Sequence, residues 1–175
     1  MLLQATIWNK IKQMKKIIIL LLLSIVNGAR AQEVEINAVL DAWHKAAEEA
    51  EFETYFAFFA DEARFIGTDA SENWTVGEFK TYAKSSFQTA PAWKFIPLQR
   101  NVEVADTNQF AWFDEILTSE HLGVCRGSGV LVFEDETWKI KHYVLSLIIP
   151  NELAKDIAKQ KKEADAKSVI KLKMN

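Results

Sequence analysis

The second half of the chain contains four long segments rich in strand-forming residues, and only short polar turns separate them. The four segments are Trp93–Ala105, Gln109–Glu120, Gly123–Glu134 and Thr137–Ile149. Because short turns join antiparallel neighbours, this pattern predicts a four-stranded antiparallel meander. Apolar residues before the meander recur at helical spacing, so the sequence predicts an α+β fold with helices packed on one face of a curved sheet.

Three helices and one short strand are predicted ahead of the meander. The helices are Glu33–Ala50, the aromatic-rich Phe52–Phe59, and a third that runs from Thr75 to about Gln88. Thr75 and Glu78 have the spacing of a capping box, in which each side chain satisfies a free backbone amide at the start of a helix. The short strand is predicted over Ala63–Gly67.

The N-terminus has the pattern of a signal peptide. Lys15 and Lys16 precede the apolar run Ile17–Val26, and Ala29-Arg30-Ala31 supplies small residues at a cleavage site. We therefore expect residues 1–31 to be removed and the protein to be exported, to the periplasm or outside the cell. A ten-residue run is too short to cross a membrane. One domain is predicted over residues 32–150, followed by a charged, partly helical tail over residues 151–175.

Charge and residue types argue against several classes of function. Without residues 1–31 the chain keeps 16 basic and 24 acidic side chains, a net charge of −8, which disfavours nucleic-acid binding. Cys125 is the single cysteine and is predicted to be a small buried side chain. The three histidines are dispersed and there is no phosphate loop or dinucleotide motif, so we predict neither a metal site nor a cofactor.

The last predicted strand contains a histidine among apolar neighbours, which suggests a lined cavity. Alternation places His142 on one face with Trp138 and Val144. If Asp135-Glu136 and His121-Leu122 are both two-residue hairpin loops, Gly129 lies between Asp114 and His142 in one row across the sheet. The two polar residues are then roughly 10 Å apart at the backbone, for two strand spacings.

This predicted row supports two interpretations. A carboxylate in an apolar cavity has a raised pKa, and a nearby histidine can share its proton, so Asp114 and His142 could perform acid–base chemistry on a bound molecule. Alternatively, the two side chains satisfy each other, or backbone groups, within the core. The residues alone leave both interpretations open.

With these residues in view, the chain resembles the SnoaL-like branch of the nuclear transport factor 2 superfamily. The resemblance rests on the Trp43 helix and on four motifs: FIGTD…ENWT (Phe65–Thr75), AWFDE (Ala111–Glu115), CRGSGVL (Cys125–Leu131) and WKIKHYVLS (Trp138–Ser146). It implies a cone-shaped barrel in which a curved antiparallel sheet wraps around N-terminal helices, with a cavity at one end. It also implies a homodimer formed through the outer sheet face. Asp114 and His142 match pocket positions of catalytic relatives, but Val144 stands where many relatives carry a second histidine.

Three functions remain open at this point. The leading hypothesis is an exported protein that binds a small apolar or aromatic molecule. The second is an isomerase- or lyase-type enzyme with Asp114 as the base and His142 as the orienting or proton-shuttling group. The third is a non-enzymatic interaction module that uses the outer sheet face or the lysine-rich tail. The predicted pocket-lining residues are Trp43, Tyr55, Phe59, Phe65, Trp74 and Trp112.

Overall fold

A computed structural model describes residues 13–16 and 31–174. The predicted signal peptide lies mostly outside the described residues. Helix α1 covers residues 31–48. The elements that follow are α2 (Phe52–Ala57), β1 (Phe59–Ile66), β2 (Asn73–Thr75), α3 (Val76–Ala83), a 3-10 turn (Ser86–Gln88), β3 (Ile96–Val104), β4 (Phe110–Ser119), β5 (Gly123–Glu134), β6 (Thr137–Leu147) and α4 (Asn151–Lys173).

The strands form one six-stranded sheet in the order β2-β1-β6-β5-β4-β3. The predicted antiparallel meander β3 to β6 is confirmed. The sequence prediction did not include β2, or the parallel pairing of β1 with β6. The sheet is curved but not closed, since β2 and β3 remain its edges, and this agrees with the predicted cone shape.

Helices α1, α2 and α3 pack on the inner face of the sheet. Ile36, Leu40 and Trp43 of α1 are buried at the spacing that predicted the helix. The capping box at the start of α3 is confirmed, because the Glu78 amide donates to Thr75 and the Thr75 amide donates to the Glu78 carboxylate. The helix ends at Ala83, earlier than predicted, and the chain continues into the 3-10 turn.

The register between β4 and β5 differs by one residue from the predicted register. Ser119 pairs with Gly123, so the loop between the strands has three residues rather than two. Gly123 has φ of +69°, the left-handed conformation that closes three-residue hairpin loops. As a result Gly129 faces Phe113 instead of Asp114.

The predicted pairing of β5 with β6 is correct only next to the turn. Asp135 and Glu136 form the expected two-residue loop, both with positive φ, and Leu131 faces Ile140 as expected. A bulge then adds one residue to β6, so that Gly129 faces Tyr143 rather than His142. Beyond the bulge, every β6 side chain therefore lies on the face opposite to the predicted one.

Helix α4 follows the sheet as a single long helix. The sequence predicted a partly helical charged tail, and Asn151–Lys173 is helical throughout, with no buried residue. Ion pairs one turn apart stabilise it, such as Lys161 with Asp165 and Lys167 with Glu163. No helix in the described part of the chain is long and apolar enough to cross a membrane.

Candidate functional site

Asp114 and His142 do not form the predicted row. Both lie on the outer face of the sheet, in different rows: Asp114 faces Ser128, and His142 faces Val130. Asp114 is exposed, and its carboxylate accepts a hydrogen bond of 3.1 Å from the side-chain Nδ2 of Asn101. Trp112, predicted to line the pocket, is also on the outer face, with half of its surface exposed. The one-residue changes of register account for all three placements.

The other five predicted pocket residues lie inside the cone. Trp43, Tyr55 and Phe65 line a small inner cavity, and Phe65 and Trp74 line a larger pocket above it. Phe59 packs against Trp43 and Tyr55 with ring centroids 5.8 Å apart, but it lines neither space. Five of the six aromatic residues named from the sequence therefore lie in the interior, and Trp112 does not.

The larger space, which we call the mouth pocket, lies where β1 runs into the Gly67–Glu72 loop. Its volume is about 290 Å³. The loop, α3, the segment before β3 and the β4–β5 turn all contribute to its wall. The wall is mostly aromatic, and its aromatic residues are Phe65, Trp74, Phe79, Tyr82, Trp93 and Phe95. Leu122 and Leu145 add aliphatic surface, and Glu72 provides the one carboxylate among the lining residues.

The aromatic residues of the mouth pocket pack against each other. The Phe65 and Phe79 rings stack with centroids 4.0 Å apart, and the Trp74 and Tyr82 rings stack at 4.4 Å. Trp74 also lies nearly parallel to Phe79, at 5.6 Å. Rings fixed in this way lose little freedom when a ligand binds, so the wall is largely pre-organised.

The inner cavity continues the mouth pocket toward α1. The two spaces share four lining residues, Phe65, Trp93, Phe95 and Leu145. The remaining residues around the inner cavity are Trp43, His44, Tyr55 and Tyr143. Its volume is about 10 Å³, close to the space of a single water molecule. The inner cavity is therefore too small for an organic molecule, and the mouth pocket offers the larger of the two spaces.

A buried polar cluster lies on the other side of the inner cavity, centred on Glu115 of β4. Glu115 has no exposed surface, and its carboxylate contacts three side chains. Oε1 lies 2.9 Å from His44 Nε2 and accepts a hydrogen bond of 3.2 Å from the Tyr143 hydroxyl. Oε2 accepts a hydrogen bond of 2.9 Å from Arg100 Nε. The cluster joins α1, β3, β4 and β6.

Arg100 connects this cluster to the first helix. Its Nη1 donates to the side chain of Asp41, at 2.8 Å, and to the Asn37 carbonyl, at 3.3 Å. The side chain is only 6% exposed, so both its charge and that of Glu115 are removed from water. These contacts of Arg100 hold α1 and the sheet in one relative position, because separating them would remove a partner from a buried charge.

Two glycines of β5 lie where a side chain would not fit, and one of them, Gly127, makes room for the cluster. A Cβ atom on Gly127 would collide with the Tyr143 hydroxyl and would lie 2.8 Å from Glu115 Oε1. On Gly129 it would collide with the His142 carbonyl oxygen and approach Phe113. Gly129 was predicted to lie between two polar side chains, but the space beside it is filled by the Phe113 ring and the His142 backbone.

The pKa values of the cluster favour a charged carboxylate and a neutral phenol. Burial raises the pKa of Glu115, but the contacts with His44 and Arg100 outweigh it and hold the pKa below the ordinary 4.5. Burial and the adjacent carboxylate raise the pKa of Tyr143 well above its ordinary value. Glu115 is paired on both oxygens and lines neither cavity, so it is poorly placed to accept a proton from a ligand.

Sequence reasoning missed Glu115, Arg100 and Tyr143 as interior polar residues. Because Asp114 and His142 were predicted to face inward, strand alternation assigned their neighbours Glu115 and Tyr143 to the outer face. Gly123, just after the turn, was the available signal, because a glycine at that position is typical of a three-residue loop. Among residues 13–16 and 31–174, no group of three or more histidine, cysteine, aspartate or glutamate side chains is arranged to hold a metal ion.

The model of the SnoaL-like domain family matches residues 36–150, about two thirds of the chain. The chain belongs to the SnoaL-like family. No curated protein matches it in sequence. The family assignment confirms the resemblance that the motifs suggested, and with the sheet topology it confirms the fold class.

Solved structures similar to this SnoaL-like protein support the same fold. An NTF2-like protein of unknown function from Pseudomonas putida KT2440 has 15% identity and a TM-score of 0.59, covering 70% of this chain and 91% of its own. A domain of unknown function with a cystatin-like fold from Nostoc punctiforme has 16% identity and a TM-score of 0.59, with coverages of 83% and 98%. An NTF-2 like protein of unknown function from Shewanella oneidensis MR-1 has 11% identity and a TM-score of 0.56, with coverages of 66% and 98%. At these identities the likeness concerns the fold alone.

Proposed function

We propose that this SnoaL-like protein binds a small apolar or aromatic molecule in the mouth pocket. The proposal rests on the pocket itself, which has a volume of about 290 Å³ and a largely aromatic wall. The pocket is open to solvent. Ligand sites are concave and predominantly apolar, with a few polar groups that fix orientation, and the mouth pocket has this composition. Its volume is just below the range of drug-sized sites, so we expect a compound of one or two rings.

Binding without catalysis is the function we favour, because the acid–base pair required by the enzyme hypothesis lies outside the pocket. Asp114 and His142 are on the outer face. Glu72 is the one carboxylate that lines the mouth pocket, and His44, which lines only the inner cavity, already contacts Glu115 through Nε2. Neither arrangement provides a base and an acid on opposite sides of a ligand.

The outer sheet face supports a second part of the proposal, assembly into a homodimer. Trp112 is half exposed, and Val130 and Val144 are partly buried on the same face. Strand alternation around an inward-facing Asp114 and His142 would also put Phe113, Glu115, Tyr143 and Leu145 on the outer face, but these side chains lie inside the cone. The remaining outer residues still form apolar surface that a second copy would cover.

The binding proposal is tested by thermal shift and tryptophan fluorescence with one- and two-ring compounds such as indole and naphthol. We expect saturable binding that Trp74→Ala weakens about tenfold or more, since the variant removes one wall of the pocket. Trp112→Ala is the matched control, because it removes the same side chain from the outer face and should leave affinity unchanged. Equal affinity in the wild type and in Trp74→Ala would contradict the proposed site.

A further inference from the structure

The mouth pocket combines an aromatic wall with a single negative charge. Glu72 is the one formally charged side chain that lines it; the other lining residues are aromatic, aliphatic, glycine or threonine. Among the described residues, no lysine or arginine forms an ion pair with Glu72, whereas Glu115 is paired with Arg100 and Glu48 with Lys94. Within residues 13–16 and 31–174, the charge of Glu72 is therefore not neutralised by an ion pair.

The loop holds the Glu72 carboxylate in a fixed place. Its Oε2 accepts a hydrogen bond of 3.0 Å from the Asp69 amide, and its backbone carbonyl accepts one of 2.9 Å from the Gly67 amide. A Cβ atom on Gly67 would collide with this same carboxylate oxygen, so glycine allows the side chain to fold against the backbone at the pocket wall. These contacts place the charge at the pocket before any ligand arrives.

Such a site discriminates between ligands by charge. An anionic ligand would meet a carboxylate and no basic group among the lining residues, so its charge would be unpaired and repelled. An ammonium ion is attracted both to the carboxylate and to the negative faces of aromatic rings, tryptophan above all. Trp74 and Trp93 both belong to the wall.

We infer that the mouth pocket recognises an organic ammonium ion, an amine attached to an aliphatic or aromatic body. The inference rests on the proposed binding function and specifies its ligand class. Glu72 supplies the counter-charge, and the aromatic wall covers the apolar body and the alkyl groups around the nitrogen. Asp69, in the same loop, lies in a different cleft, beside Lys167 and Lys171 of α4, and does not line the pocket.

Three water-soluble probes of nearly the same shape test the inference: choline, its uncharged carbon analogue 3,3-dimethylbutan-1-ol, and the anion 3,3-dimethylbutanoate. Titrations followed by tryptophan fluorescence or calorimetry should rank choline first, about tenfold above the neutral probe, and the anion last. The choline affinity should also fall as salt is added, because the carboxylate is only partly buried.

Two variants test whether the preference for choline depends on the Glu72 carboxylate. Glu72→Gln keeps the shape of the side chain and should reduce choline affinity about tenfold while leaving the neutral probe unchanged. Glu120→Gln removes the same charge from the exposed β4–β5 turn, outside the mouth pocket, and serves as the control. A choline preference that survives Glu72→Gln, or equal affinity for choline and the neutral probe, overturns the inference but leaves the binding proposal intact. If no probe binds and the aromatic compounds do not respond to Trp74→Ala, the proposed function itself fails.

Discussion

Removing the Glu115 carboxylate should strongly destabilise the fold, because Glu115 is the centre of the buried polar cluster. Glu115→Ala would leave Arg100, only 6% exposed, and His44, 7% exposed, without their shared partner. Breaking a buried ion pair by removing one member typically costs about 3–5 kcal/mol. Arg100 retains its contact with Asp41, so we expect a loss of about 3 kcal/mol in the free energy of unfolding, at the lower end of that range.

Urea denaturation at neutral pH, followed by tryptophan fluorescence, measures this change. Asp114→Asn is a matched control on the same strand, since its side chain is exposed and should alter the free energy of unfolding by no more than about 0.5 kcal/mol. The opposite ranking, with Asp114→Asn costing more than Glu115→Ala, would refute the register of β4. A loss below about 1 kcal/mol for Glu115→Ala would refute the buried ion pair itself.

The pKa of Glu115 also predicts how the stability of the fold depends on pH. The folded-state pKa of Glu115 lies below its ordinary value of 4.5, so the unfolded chain binds a proton to this group more readily than the folded protein does. Its contribution to stability is therefore fully present above about pH 4.5 and is lost as the pH falls through the folded-state pKa. Glu115→Gln removes that contribution, so the stability of this variant should fall less steeply with acid than that of the wild type.

Three further predictions follow from the turn, the outer face and the N-terminus. Glu136 has φ of +61°, so Glu136→Gly should raise the free energy of unfolding by about 0.5–1 kcal/mol in urea denaturation; a loss would contradict the turn geometry. Val130→Glu places a charge on the outer face and should shift the proposed homodimer toward monomer in sedimentation experiments, and a wild type that sediments as a monomer at micromolar concentration would rule out the homodimer. Mass spectrometry of protein from the native host should find a mature N-terminus at Gln32, and recovery of intact residues 14–31 on most molecules would exclude cleavage of a signal peptide.

Local patterns were sufficient to predict most elements of this fold, with the exception of β2 and of the end of α3. The meander follows from strand-forming segments with short turns, α1 from the spacing of its apolar residues, and the start of α3 from Thr75 and Glu78. These features depend on residues close together in the chain, and for that reason the sequence alone determines them. The family motifs added the cone shape, which is a property of the whole sheet.

The identity of the interior polar residues depended on the tertiary structure. A three-residue loop before Gly123 and a bulge in β6 each moved the pairing by a single residue, and a single residue reverses the two faces of a strand. Glu115 and Tyr143 therefore replace their chain neighbours Asp114 and His142 inside the cone. Glu115 meets His44 from 71 positions away along the chain, and such a contact exists only once the helix has packed on the sheet, so no local pattern in the sequence can determine it.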